Sequence, residues 1–132
     1  YTNRMADAVH AQGKLYIHHS CGLIKDLVWL YRQTRMDAVH ALQIPPLGNI
    51  TIREAKQALG DRIVIYATLN QMFGSLENWP AVCQSIREMF EGAAPGNNFL
   101  LVIGADPNVN MTTTMRFWNE VQKYQRMYST NR

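Results

Sequence analysis

His19 and Cys21 are the residues whose types and spacing most directly suggest chemistry. They lie two apart in Tyr16-Ile17-His18-His19-Ser20-Cys21-Gly22, at the end of an apolar, β-rich run. In an extended strand, residues i and i+2 project to the same side. An imidazole and a thiolate on one side can share a Zn²⁺ ion, which favours both donors. A protein zinc site needs a third ligand, and Asp106, just after the apolar run Phe99 to Ala105, is the natural candidate. Gln43 and Asn70 close two other apolar runs and are expected to face a substrate at the same mouth. The alternative for the pair is structural, a packed strand end with Cys21 a small hydrophobe and His19 a hydrogen-bonded core residue.

Four runs read as strands: Lys14 to Ser20, Met36 to Leu42, Arg62 to Leu69 and Phe99 to Ala105. Between them the spacing turns helical. Leu23, Leu27, Leu30 and Tyr31 form one stripe, with Ile24 beside it, and Ile52, Ala55 and Leu59 form another. Thr51 with Glu54 three residues on reads as a capping box, and Gly60 is placed to stop that helix. Val82, Ile86, Met89 and Phe90 give the third stripe, and Phe117, Val121, Tyr124 and Tyr128 the fourth. A leading helix from about Thr2 to Ala11 ends at Gly13. The fold class is therefore α/β: one helix, then four strand–helix units on a mainly parallel sheet, since parallel strands need crossover connections. The third and fourth strands are almost continuously apolar, as expected when both faces are covered. In such sheets the functional groups gather at the carboxyl ends of the strands, where His19, Gln43, Asn70 and Asp106 all fall.

The remaining candidates have structural readings. His18 is expected to face the helices and His10 to complement a helix C-terminus. His40 is expected to be a hydrogen-bonded core or helix-facing residue. Cys83 lies in a helical stripe and reads as core. Trp29, Trp79 and Trp118 are expected to cover the sheet, and the seven methionines to fill the core. The chain contains neither a Walker-type loop nor G-x-G-x-x-G.

The 132 residues suit one domain, and 47% hydrophobic with 17% charged composition excludes disorder. No run approaches a membrane span. The formal charge of +3, from 13 basic and 10 acidic residues, is scattered and lacks the dense basic face that nucleic-acid binding needs. Two cysteines are too few for a disulfide scaffold, so a reducing cytoplasm is expected. The chain begins Tyr1-Thr2-Asn3-Arg4, without Met or a secretory signal, and reads as part of a longer product.

Several blocks together resemble the uroporphyrinogen decarboxylase superfamily. They are His10-Ala11-Gln12-Gly13-Lys14, His19-Ser20-Cys21-Gly22, Pro45-Pro46-Leu47-Gly48-Asn49 leading into Glu54-Ala55-Lys56, Leu59-Gly60-Asp61, and Ala93-Ala94-Pro95-Gly96-Asn97-Asn98-Phe99-Leu100. The resemblance runs from Tyr1 to about Tyr124. It implies a (β/α)₈ TIM barrel, with residues 1–132 similar to its C-terminal half as a single domain. Two branches of activity follow. Decarboxylases remove acetate carboxyls from uroporphyrinogen, a tetrapyrrole, without a cofactor, in porphyrin biosynthesis. Corrinoid-dependent methyltransferases use zinc, held by an H-x-C pair and a later Cys, to activate a thiol that takes a methyl group from methylcobamide.

The H-S-C-G block resembles the methyltransferase-like branch. Two departures accompany it. Ala105 stands at the best-matching position for the later Cys, so Asp106 would replace that thiolate. The decarboxylases' G-N-L-D-P segment reads Ala67-Thr68-Leu69-Asn70-Gln71, and their substrate-contacting His near Ala105 is absent. The resemblance thus implies a zinc-dependent, corrinoid-linked enzyme as the parent protein, with a tetrapyrrole decarboxylase and a non-catalytic degenerate half-barrel as alternatives. A half-barrel is expected to be inactive alone and to need either its N-terminal half or a second copy.

Overall fold

The computed structural model describes residues 1–69, 78–94, 98–103 and 110–129. It begins with helix α1 (Thr2–His10) and continues as four strand–helix units: β1 (Ile17–His19) and α2 (Val28–Tyr31), β2 (Ala38–Leu42) and α3 (Ile52–Leu59), β3 (Val64–Leu69) and α4 (Trp79–Ala93), β4 (Phe99–Ile103) and α5 (Met111–Ser129). The strands form one sheet in the order β1-β2-β3-β4, and all three pairings are parallel. This is the expected α/β arrangement, a leading helix and four parallel βα units.

The strands are shorter than their apolar runs. Residues 14–16 precede β1 rather than belong to it, and the backbone N–H of Tyr16 instead donates to the Asp37 carboxylate at 2.6 Å. Residues 104 and 105 lie outside the described set. The pairing shifts between His40 and Leu42, and the His40–Ala41 and Pro45–Pro46 peptides are cis.

Burial along β3 alternates, with Ile65, Ala67 and Leu69 buried and Val64, Tyr66 and Thr68 partly exposed. The first set lies under the helices, where α2 packs on α3, α3 on α4 and α4 on α5. Val39, Leu42, Ile63, Ile65, Ile86, Met89 and Phe117 form the centre of that layer. Each such side chain, fully buried, contributes about 1.5–3 kcal/mol of transfer free energy. The expectation of two covered faces is corrected by the other side of the sheet. Ile17 is 51% exposed and Leu100 53% exposed on that side. That face is mixed, since His19, His40 and Tyr66 lie on it beside Ile17 and Leu100.

Helix α3 follows its sequence signals closely. The Thr51 hydroxyl accepts from the Glu54 N–H at 3.2 Å, and Glu54 accepts from the Thr51 N–H at 2.8 Å. Gly60 ends the helix with φ +68. The second helical segment does not follow its stripe. It is a single turn in which Val28 is buried, with Ile24 buried ahead of it, while Leu23, Leu27 and Leu30 are exposed. Trp29 and Trp118 are also exposed, so of the three tryptophans only Trp79 packs on the core, edge-on to Phe117. The methionines divide as well: Met36 and Met89 are buried, whereas Met5, Met111, Met115 and Met127 are exposed. Among the described residues no helix is long and apolar enough to cross a membrane.

Candidate functional site

The carboxyl end of β1 is fixed to its neighbour by backbone. The N–H of Ser20 donates to the carbonyl of His40 in β2, and the Ser20 hydroxyl lies 2.8 Å from the Tyr31 hydroxyl of α2. The chain then turns through Cys21 and Gly22. Gly22 has φ +81, a left-handed conformation that a side chain would strain. Its N–H donates to Gln43 Oε1 at 3.0 Å. Gln43 therefore braces the turn that carries Cys21, and the same residue lines a neighbouring cleft.

The segment after Gln43 is equally constrained. Gly48 N–H donates to the Ile44 carbonyl at 3.0 Å, closing a tight turn around Pro45 and Pro46. Asn49 Oδ1 accepts from the Lys25 N–H at 3.0 Å, and the Lys25 ammonium pairs with Glu54 at 2.6 Å. The loops after β1 and β2 are thus joined by Gln43, Asn49 and Glu54 into one ledge.

His19 and His40 face each other across the β1–β2 pairing. They are direct register partners on β1 and β2, and Tyr66 continues the row on β3. The two Nδ1 atoms are 3.1 Å apart, the rings stand 5.2 Å apart between centroids, and the His40 ring packs at 4.7 Å on Tyr66. His19 is exposed and His40 partly exposed. His40 is hydrogen-bonded, as expected, but it sits on the uncovered face with Tyr66 rather than under the helices. His18 takes the other side, 3.2 Å from the Tyr16 hydroxyl and edge-on to Tyr31. Cys21 is exposed, so it is not a packed hydrophobe, and because β1 ends at His19 it lies in the turn, where the strand alternation expected to set it beside His19 does not hold. Cys83 is partly buried on α4, and burial, followed by the nearby Glu120 carboxylate, pushes its thiol pKa up.

Asp106, Asn70 and Ala105 lie outside the described residues. Among the described residues, no three His, Cys, Asp or Glu side chains converge on one point that could hold a metal ion. The donors present at the β1 end are imidazole and thiol, the types that zinc takes most readily. They fit that ion in chemistry, and two of them also fit in spacing, since His19 and His40 are paired. Sequence reasoning missed this pairing. No local pattern carries it, because it depends on the register between β1 and β2.

A second feature opens beside the ledge. A cleft of about 230 Å³ lies at the carboxyl ends of β2 and β3, walled by Gln43, Pro45, Pro46, Leu69, Val82 and Phe117. Thr68 also lines it, and its buried hydroxyl has no hydrogen-bond partner among the described residues. A group orphaned in this way costs about 1–3 kcal/mol unless something binds it.

The opposite end of the sheet is built for stability. Asp37 accepts from His10 Nε2 at 2.7 Å and from the Tyr16 N–H. Burial alone would raise the Asp37 carboxyl, but these hydrogen bonds hold it below its ordinary value. The His10 imidazole thus reaches a carboxylate beyond its own helix, rather than serving the helix terminus alone. Arg62 donates to the carbonyls of Arg32, Thr34 and Met36, tying the α2–β2 connection to the start of β3.

Comparison of the chain with protein-family models and with curated proteins finds no match.

Proposed function

We propose that the chain is the C-terminal half of a (β/α)₈ barrel enzyme of the uroporphyrinogen decarboxylase type, from its zinc-dependent, corrinoid-linked methyltransferase-like branch. The observation that carries this reading is the placement of His19 and exposed Cys21 at the carboxyl end of a parallel strand, on a sheet with one uncovered face. A sequentially ordered parallel sheet with helices on one side only is what half of such a barrel would present. Cys21 and His19 are the proposed zinc ligands, with Asp106 as the third.

Zinc, when bound, keeps an acceptor thiol deprotonated near neutral pH. The chain's own residues do the positioning. Gln43 holds the Gly22 amide and thereby the Cys21 turn, and Ser20 fixes the end of β1. Gln43, with Asn70, faces the substrates: a corrinoid methyl donor and a small thiol. The Asp106 assignment supplies a harder third ligand than a thiolate, a composition zinc tolerates.

The test is zinc content of the chain purified without chelator. About one zinc per chain is expected in the wild type, with loss in His19→Ala and Cys21→Ser. Wild-type protein that neither retains nor takes up zinc would overturn the reading.

A further inference from the structure

We infer that His40 is a metal ligand, and that the facing Nδ1 atoms of His19 and His40 form a two-imidazole seat for a borderline divalent cation of the zinc type. The assignment rests on the zinc reading above, but not on methyl-transfer chemistry or on Asp106. Its basis is the juxtaposition of two strands. β1 and β2 pair in parallel with His19 opposite His40, so both side chains leave the sheet on the same face.

The separation suits the ion. Two nitrogens at the usual Zn–N length on a tetrahedral centre lie about 3.3 Å apart, and their rings about 5 Å apart between centroids. The observed values are 3.1 Å and 5.2 Å. Both distances lie within a few tenths of an ångström of those that a shared ion would set. The seat is reachable because His19 is exposed, and it is supported from behind because the His40 ring rests on Tyr66.

In the hydrogen-bonded state one Nδ1 carries the proton and the other accepts it. To ligate through both Nδ1 atoms, the donor imidazole moves its proton to Nε2, and no net proton is released. The two remaining tetrahedral positions are open to an incoming thiol or to water. His40 in this role removes the need for a third ligand at position 105, where the sequence carries Ala.

Zinc chloride alone, titrated into the full chain against a chromophoric chelator, tests the assignment, alongside ¹⁵N-histidine spectra that report which ring nitrogen binds metal. The expected result is one zinc per chain, with the Nδ1 signals of both His19 and His40 shifting. Loss of a direct ligand should cost at least the roughly 100-fold in affinity that supporting-shell losses can reach. Both His40→Ala and the size-preserving His40→Gln should show it, while melting without zinc confirms that they fold. If both His40 variants bind like wild type while His19→Ala does not, His40 is no ligand and the His19–Cys21 reading survives. If Cys21→Ser retains zinc while the His19 and His40 variants lose it, the imidazole seat stands and the thiolate reading falls. If wild type binds no zinc, both fall.

Discussion

A β-carbon built on Gly48 would lie 1.7 Å from the carbonyl oxygen of Gln43, well inside any permitted nonbonded approach. The turn that puts Gly48 there also sets the direction of Gln43, whose side chain holds the Gly22 amide. We expect Gly48→Ala to destabilise the chain by about 2–4 kcal/mol, because backbone rather than a flexible side chain must move. Urea denaturation measures this, and amide exchange at Gly22 should quicken in the same variant. A change within about 0.5 kcal/mol would show that the turn has room that its geometry denies. At this scale the sequence was partly legible. His19, Cys21 and Gln43 are recognisable as strand-end groups from their runs alone. The His19–His40 contact is not, because register between strands depends on tertiary pairing that no local pattern encodes. The exposed Trp29 and Trp118 follow the same logic: a large apolar side chain says what could be buried, not which side of its helix meets the sheet.

Helices α2 and α3 show where element-level reading works and where it slips. In α3 the cap, the apolar face and the stop agree, and the helix runs from Ile52 to Leu59 as its signals require. In the α2 segment the i, i+4 spacing is real but lies one residue later than the stripe suggests, with Ile24 and Val28 inward and Leu23 and Leu27 outward. A run as apolar as Leu27-Val28-Trp29-Leu30 offers no polar face to fix its phase. The capping box of α3 gives a pH-dependent expectation. The Lys25 ammonium, then the Thr51 backbone and hydroxyl, hold the Glu54 carboxyl down to about 2, against an ordinary value of 4.5. A folded-state pKa below the unfolded one contributes stability above the unfolded value and loses it as pH falls through the folded one. The advantage of wild type over Glu54→Gln should therefore be full above about pH 5 and fade towards pH 2. Chemical denaturation of both proteins across that range measures it. A constant difference would mean that the Lys25–Glu54 pair, which is solvent-exposed, contributes through geometry rather than charge.

At the scale of the whole molecule the open question is the uncovered sheet face. β1 and β4 are both edge strands, and Ile17 and Leu100 present exposed apolar side chains at the two ends of one face. Unpaired edges and an apolar face favour association, and natural sheets that stand alone usually shield them with charge or a covering element. Here the same face carries Val64 and Tyr66, only partly buried, beside His19 and His40. A twofold pairing of β4 with β1 of a second copy, repeated at the other edge, would close eight parallel strands and bury the face on both chains at once. The N-terminal half of a parent barrel would close it in the same way. The chain on its own is therefore expected to self-associate. Sedimentation velocity should show a species of twice the chain mass at micromolar concentration. The paired substitutions Ile17→Lys and Leu100→Lys should shift it towards monomer, since charges facing one another in a water-excluded interior carry a large desolvation cost. Folding of the double variant, checked by its melting transition, separates lost association from lost structure. A wild-type chain that stays monomeric across the concentration range would mean that the exposed face is tolerated in water, and that closure of a barrel is not what this sheet is built for.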